Sequence, residues 1–233
     1  DLAKRNLKYS SEEGKRYIHY LAERHAYYML KASLRLGKEK GNCDWIHKTK
    51  WPDGWTFKDG WINLDKSLLR FELKYDWDQL SMEVKENKGI RNSCLIAYMP
   101  TESSSKATGL PNGIYPIRDI YLKKTDASNH VDFVVKESDI LKDQYELAWD
   151  IDVKDMAEVY GIIQKFTDQS ISADFYIDRS KEEELKTSRL MDEFMYFYKY
   201  GLKTRYYTNS RTTKSIKLED LNNKGCSSGF CTL

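Results

Sequence analysis

The chain has 233 residues, of which 40% are hydrophobic and 32% charged, with 38 Lys+Arg against 36 Asp+Glu for a net charge of +2. That length can bury a substantial core, and 13% aromatic residues argue against disorder. So small a net charge offers no field to draw nucleic acid, and no run approaches the roughly 18 apolar residues of a membrane-spanning helix. The first residues after Asp1 lack the apolar core of a secretory signal, and a start without Met leads us to expect a processed chain or a piece of a longer one. Four cysteines are too sparse for a disulfide scaffold, so a reducing cytoplasm is expected.

Residues 11–40 carry the period of one amphipathic helix. Ser10 and Glu13 have capping-box spacing, Tyr17, Leu21, Tyr28, Ala32 and Leu36 give the apolar recurrence, and Gly41 is the stop. Residues 42–75, crowded with Trp, Gly and Asp, read as an ordered excursion, followed by a short helix near Trp77–Asn87 that Lys88-Gly89 ends. IRNSCLIAYMP, residues 90–100, predicts a strand covered on both faces, with Cys94 as a small buried hydrophobe. It opens into TESSSKATGLPNG, expected to be a loop. Residues 119–136 predict a hairpin turning at Asp126–Asn129. Helical stretches are expected at Gln144–Asp150 and Met156–Asp168, a short strand in ISADFYID, a helix over Lys181–Tyr200 stopped by Gly201, and a last strand in KTRYYTN. From about residue 210 the composition of Thr, Lys, Asn, Ser and Gly predicts a disordered tail, giving a body of 1–209 and a tail of 210–233. Strands separated by helices make the fold class α/β, with too few strands to close a barrel.

Three stretches could carry chemistry. Thr101-Glu102-Ser103-Ser104-Ser105 follows an apolar strand, where ligands of α/β folds collect, and its hydroxyls suit a phosphate. Taken alone it is better read as an ordinary polar loop, and it lacks the P-loop spacing. Tyr206-Tyr207 reads on spacing alone as one core and one surface residue, because neighbours on a strand face opposite ways. The alternative uses both phenols as redox groups. Cys226 and Cys231, in the terminal GCSSGFCTL, are better read as functional, since a dithiol on a mobile end can exchange with disulfides. Cys43, just past the first helix, has no evident role. His19, His25, His47 and His130 form no ligand-spaced set, so no metal site is expected, and Trp51, Trp55 and Trp61 read as packing rather than as base-stacking groups.

RNSCLIAYMPTESSSKATGLPNGIYPIRD, then GIIQKFTDQSISADFY, then YKYGLKTRYYTNSR and the terminal Cys-x4-Cys resemble, in order and spacing, the C-terminal third of the class I ribonucleotide reductase large subunit. The resemblance begins near EEGKRY, covers nearly the whole chain, and in the aromatic-rich excursion looks most like bacteriophage versions. It implies the later part of a ten-stranded α/β barrel, here incomplete, with a flexible tail. It implies that Thr101, Glu102, Ser103 and Ser104 hold the diphosphate of a ribonucleoside diphosphate, and that Tyr206 and Tyr207 end a radical path from a small subunit. It implies that Cys226 and Cys231 re-reduce the active-site disulfide and are themselves reduced by thioredoxin or glutaredoxin. The chain would hold no cofactor of its own; the radical cofactor, a di-iron tyrosyl centre, would belong to the small subunit. The family's thiyl-radical cysteine and its allosteric sites would lie upstream, so this chain alone would be inactive. It would work with the rest of the large subunit, in cis as part of one polypeptide or in trans as a separate piece of a split subunit, in the cytoplasm (a host's, if phage-encoded). No direct role with nucleic acid or a membrane is implied. A relay of tyrosines should stand in a dry interior, and a stacked pair should make KTRYYTN irregular.

Overall fold

The computed structural model describes residues 1–125, 130–181 and 185–212. The first helix, α1 (Glu12–Lys40), is the long element read in the sequence, and Gly41 closes it at φ 83°. Its cap is Ser11, whose hydroxyl accepts from the Gly14 amide at 3.0 Å. Ser10 is diverted to Glu146, which accepts from the Ser10 amide at 2.9 Å and from its hydroxyl. The buried face also differs from expectation. Ile18, Ala22, Ala26, Leu30 and Leu34 face the core, whereas Leu21, Tyr28 and Met29 stay exposed. The inner face is built on small residues that let other elements approach closely. Gly37 is one: a Cβ there would stand 3.1 Å from the Arg91 amide nitrogen.

The aromatic excursion is ordered by four 3-10 turns, Ile46–Lys48, Trp51–Asp53, Phe57–Gly60 and Lys66–Leu69. Trp51, Trp55 and Trp61 pack, as expected, whereas Trp45 is exposed. Trp51 is buried and donates its indole N–H to the Ser93 carbonyl at 2.9 Å, and Trp61 donates to the Lys165 carbonyl at 2.7 Å. Helix α2 (Trp77–Glu86) follows, capped by Asp76, and the chain leaves it through positive φ at Lys88 and Gly89.

Residues 90–100 are extended but are not a doubly covered strand. Ile96 is buried, yet Cys94 and Met99 are exposed. Among the described residues its one β-bridge is the parallel Tyr98↔Ile171, with Tyr98 N–H donating to Ser170 O at 3.2 Å and Ser172 N–H to Tyr98 O at 2.8 Å. With one neighbour, alternate side chains face outward. The hydroxyl-rich stretch after it is a helix, α3 (Glu102–Thr108), not a loop. The hairpin is present as β1 (Tyr121–Thr125) and β2 (His130–Val134), antiparallel with Tyr121 opposite Val134; its turn at 126–129 lies outside the described residues. A short α4 (Ser138–Leu141) precedes a 3-10 turn at Ala148–Asp150, so only the end of the expected 144–150 helix forms. Helix α5 (Val153–Gln164) starts earlier than its apolar run because Asp152 caps it, accepting from Lys154 N–H. Strand β3 (Phe175–Asp178) and helix α6 (Thr187–Lys199) come next, with Gly201 at φ 82° just beyond. Strand β4 is Thr208–Arg211, paired parallel to β3. The fold is α/β with two small open sheets among the described residues, antiparallel β1–β2 and parallel β3–β4, as an incomplete portion of a barrel.

Helix α5 is the hub. Tyr160, Ile162 and Ala157 are fully buried among Tyr9, Leu68, Ile171, Phe175 and Phe197. Ions tie α1 to it: the buried Lys15 ammonium meets Asp155 and Glu158, each at 2.6 Å, and Arg70 bridges Glu12 and Glu158. Beside them His19 is 2% exposed, sandwiched by Phe71 and Phe166 at ring-centroid distances of 5.3 and 5.1 Å, with no hydrogen-bond partner for Nε2. Burial, with the Lys165 and Arg70 charges in support, lowers its pKa from 6.5 to about 3. The group is neutral on both sides of folding above pH 6.5, and below that only the unfolded chain takes up its proton. His19 therefore withdraws stability as pH falls from 6.5 towards 3, by about 1.4 kcal/mol per pH unit. Denaturant unfolding at pH 7 and pH 5 should show a loss roughly 2 kcal/mol larger in the wild type than in His19→Leu. Parallel pH dependences would contradict this.

Candidate functional site

The extended segment delivers its chain end to α3, and hydrogen bonds hold that end down. Thr101 donates its amide to Asn112 O at 2.7 Å and its hydroxyl to the same oxygen at 3.3 Å. The Ser104 hydroxyl donates to Thr101 O at 3.1 Å, and Asn112 accepts from the Tyr115 phenol. Thr101, Ser103 and Ser104 are exposed, Ser105 is buried, and Glu102 opens the helix. The Thr101, Ser103 and Ser104 hydroxyls thus stand on the surface, organised as the start of a helix rather than as a loop.

The second cluster departs from strand geometry. Residues 202–207 have no regular structure, and β4 begins only at Thr208, so KTRYYTN is irregular where the tyrosines stand. Their ring centroids are 4.1 Å apart with planes inclined by 51°. Neighbours on a regular strand would point to opposite faces, so the reading of one core and one surface tyrosine fails. So does the expectation of an interior within this chain: Tyr206 is 45% exposed and Tyr207 61%. Backbone bonds fix the pair from behind, Tyr206 N–H donating to Ala173 O at 3.0 Å and Tyr207 O accepting from Phe175 N–H at 2.8 Å. Cys226 and Cys231 lie outside the described residues, as does the tail from residue 213.

Sequence reasoning missed the groups that hold the tyrosine segment. The Lys203 ammonium donates to three successive carbonyls where α5 has run out, Thr167 at 3.3 Å, Asp168 at 2.7 Å and Gln169 at 2.9 Å. Burial lowers its pKa, with Asp168 opposing. The Thr204 hydroxyl donates to Ile171 O at 3.0 Å. Beyond the pair, Asn209 accepts from Arg118 at 3.0 Å and donates to the Asp174 carboxylate at 3.0 Å. The Asp168 carboxylate, meanwhile, accepts the amides of Leu95 and Ile96 at 2.8 and 2.7 Å, at the head of the segment that leads to Thr101. No local pattern signals these contacts, since Lys203 and Asp168 are 35 residues apart and Asp168 and Leu95 are 73 apart.

A family model described as the ribonucleotide reductase barrel domain matches residues 1–143 and 132–208. The chain is 38% identical over 235 residues to the ribonucleoside-diphosphate reductase subunit alpha of Haemophilus influenzae, and 35% identical over 239 residues to the ribonucleoside-diphosphate reductase 1 subunit alpha of Escherichia coli. Both alignments cover all of this chain and 31% of the relative. The alpha subunit of Enterobacteria phage T4 is 32% identical over 208 residues, covering 87% of this chain and 27% of that protein. The chain therefore spans about a third of the length of the relatives it matches.

Proposed function

The chain belongs to the ribonucleotide reductase barrel family, and on that premise we propose that it is the C-terminal part of an alpha subunit that reduces ribonucleoside diphosphates to deoxyribonucleoside diphosphates for DNA synthesis. The observation that carries the proposal is the Tyr206–Tyr207 pair, two phenol rings with centroids 4.1 Å apart on a stretch that departs from regular strand geometry just before β4. Each phenol can pass on one electron and one proton as a unit, so a close pair relays an oxidising equivalent without building up charge. Their exposure fits a relay that another surface covers, a small beta subunit or the rest of the large subunit.

In this reading Thr101, Glu102, Ser103 and Ser104 receive the substrate diphosphate, the Ser103 hydroxyl donating to phosphate oxygens and the Thr101 and Ser104 hydroxyls leaving their carbonyl acceptors to do the same. Each reduction consumes two electrons and leaves an active-site disulfide. A thiolate of Cys226 or Cys231 attacks that disulfide, its partner resolves the mixed disulfide, and thioredoxin or glutaredoxin reduces the tail in turn. The thiyl-radical cysteine belongs to sequence outside this chain, so the 233 residues are inactive alone. Among the described residues no helix is long and apolar enough to cross a membrane.

Leu21, Tyr28 and Met29 on α1 and Met191, Met195 and Tyr198 on α6 are large, apolar and exposed, which favours a chain that meets a neighbour. That neighbour is joined in cis, or it is the other piece of a split subunit; the intact mass of the native polypeptide ending in GCSSGFCTL separates the two. The proposal itself is tested by chromatographic detection of deoxyribonucleotide. An alpha subunit carrying this chain, mixed with its beta subunit and a dithiol, should form product from a ribonucleoside diphosphate, and no product would overturn the assignment.

A further inference from the structure

We infer that Lys203 and Asp168 form a positioning link that sets the tyrosine pair in register with the hydroxyl cluster at Thr101–Ser104; the inference rests on the functional reading above. The observations are of two kinds. The stretch 202–207 is not itself a strand; backbone bonds to Ala173 and Phe175 hold the two half-exposed rings from behind, and the residues that lead into them are held by side chains. Lys203 bonds with all three ammonium donors, each on a carbonyl of the turn 167–169. That turn is itself fixed from the other side, because the Gln164 amide donates to Thr167 O at 3.1 Å and to Gln169 O at 3.0 Å.

The same turn anchors the other cluster. Asp168 offers its carbonyl to Lys203 and its carboxylate to two successive amides, Leu95 and Ile96. Bonds from a carboxylate to backbone N–H are charge-assisted and directional, so they fix where the extended segment begins. From there Tyr98 bonds Ser170 and Ser172 in parallel register, and the chain reaches Thr101 three residues on. One aspartate thus joins the segment bearing the relay tyrosines to the segment bearing the substrate hydroxyls. A displacement of either is transmitted through two charged hydrogen-bonded groups rather than through flexible loop.

Neither residue touches substrate in this account, so the link is tested by its kinetic signature in the alpha subunit carrying this chain, assayed with its beta subunit below the melting midpoint of every variant. Lys203→Met removes the three donors and keeps the stem. It should lower kcat by about tenfold to a hundredfold, the range for a small misplacement of reacting groups, with KM for the nucleoside diphosphate within about twofold. Lys203→Arg retains a cation with several donors and should recover most of kcat. Asp168→Asn weakens the carboxylate anchor of the extended segment, leaves the carbonyl that accepts from Lys203 in place, and should raise KM for the nucleoside diphosphate. If Lys203→Met does not fold, Lys203→Gln, which keeps two donors, takes its place with a smaller fall in the same direction. A Lys203 variant that is folded and keeps wild-type kcat overturns the link, as does a loss of kcat that Arg leaves unrepaired. Tyr206→Phe and Tyr207→Phe, run beside them, keep the two ideas apart: if these turn over normally the radical reading itself has failed, whereas if they are dead and Lys203→Met keeps wild-type kcat, only the link has.

Discussion

Changing Tyr206 or Tyr207 to Phe should abolish deoxyribonucleotide formation by the alpha subunit that carries this chain, while the protein folds as before. The expectation comes from chemistry and geometry together. A phenol can give up an electron with its hydroxyl proton, whereas a phenyl ring has no such proton and is far harder to oxidise, so one substitution breaks the relay. The fold should be indifferent: both rings are on the outside, at 45% and 61% exposure, and the backbone bonds to Ala173 and Phe175 are untouched. Stability should stay within about 0.5 kcal/mol, as for other surface replacements. Thermal melts and a product assay on the same preparations check both halves. A Phe variant with wild-type turnover would mean that the pair is only a packing feature.

The second large effect concerns the tail. Cys226→Ser or Cys231→Ser should abolish turnover driven by thioredoxin and leave turnover driven by a small dithiol largely intact. A small dithiol can diffuse to an active-site disulfide directly, but a protein reductant needs a carrier that reaches both itself and the buried bond, and exchange needs two thiols, one to attack and one to resolve. Assays with each reductant, on each single variant, give the comparison. Equal loss with both reductants would sink the shuttle assignment.

How far the sequence disclosed this molecule depends on the range of the interaction that decides each feature. The extent of helix α1 and its stop at Gly41 were legible, and so were the strands of the 119–136 hairpin, but the cap was placed one residue early, at Ser10 instead of Ser11. Which face of α1 is buried was not. Leu21 and Tyr28 carry more apolar surface than Ala22 and Ala26, but the partners of α1 select small residues for close approach, a choice made by tertiary packing. Cys94 was misread for a related reason: an apolar run implies cover on both sides, and among the described residues this segment has one β-bridge. The serines after Thr101 gave the polar character of the cluster and hid its helix. The tyrosines could be marked as a candidate pair by family resemblance, yet neither their 4.1 Å approach nor the Lys203–Asp168 link was predictable from spacing, since the bonds that create them run between distant segments. The tail cysteines were singled out by composition and resemblance and lie outside the described residues.

The central claim is that this chain is one necessary and insufficient part of a ribonucleoside-diphosphate reductase. The most direct test is a reduction assay comparing the 233-residue chain with the alpha subunit that contains it, each with the same beta subunit, dithiol and labelled ribonucleoside diphosphate. The account predicts labelled deoxyribonucleotide from the longer protein and none from the chain alone. Product from the chain alone would contradict it, because a cysteine within these 233 residues would then have to abstract the hydrogen.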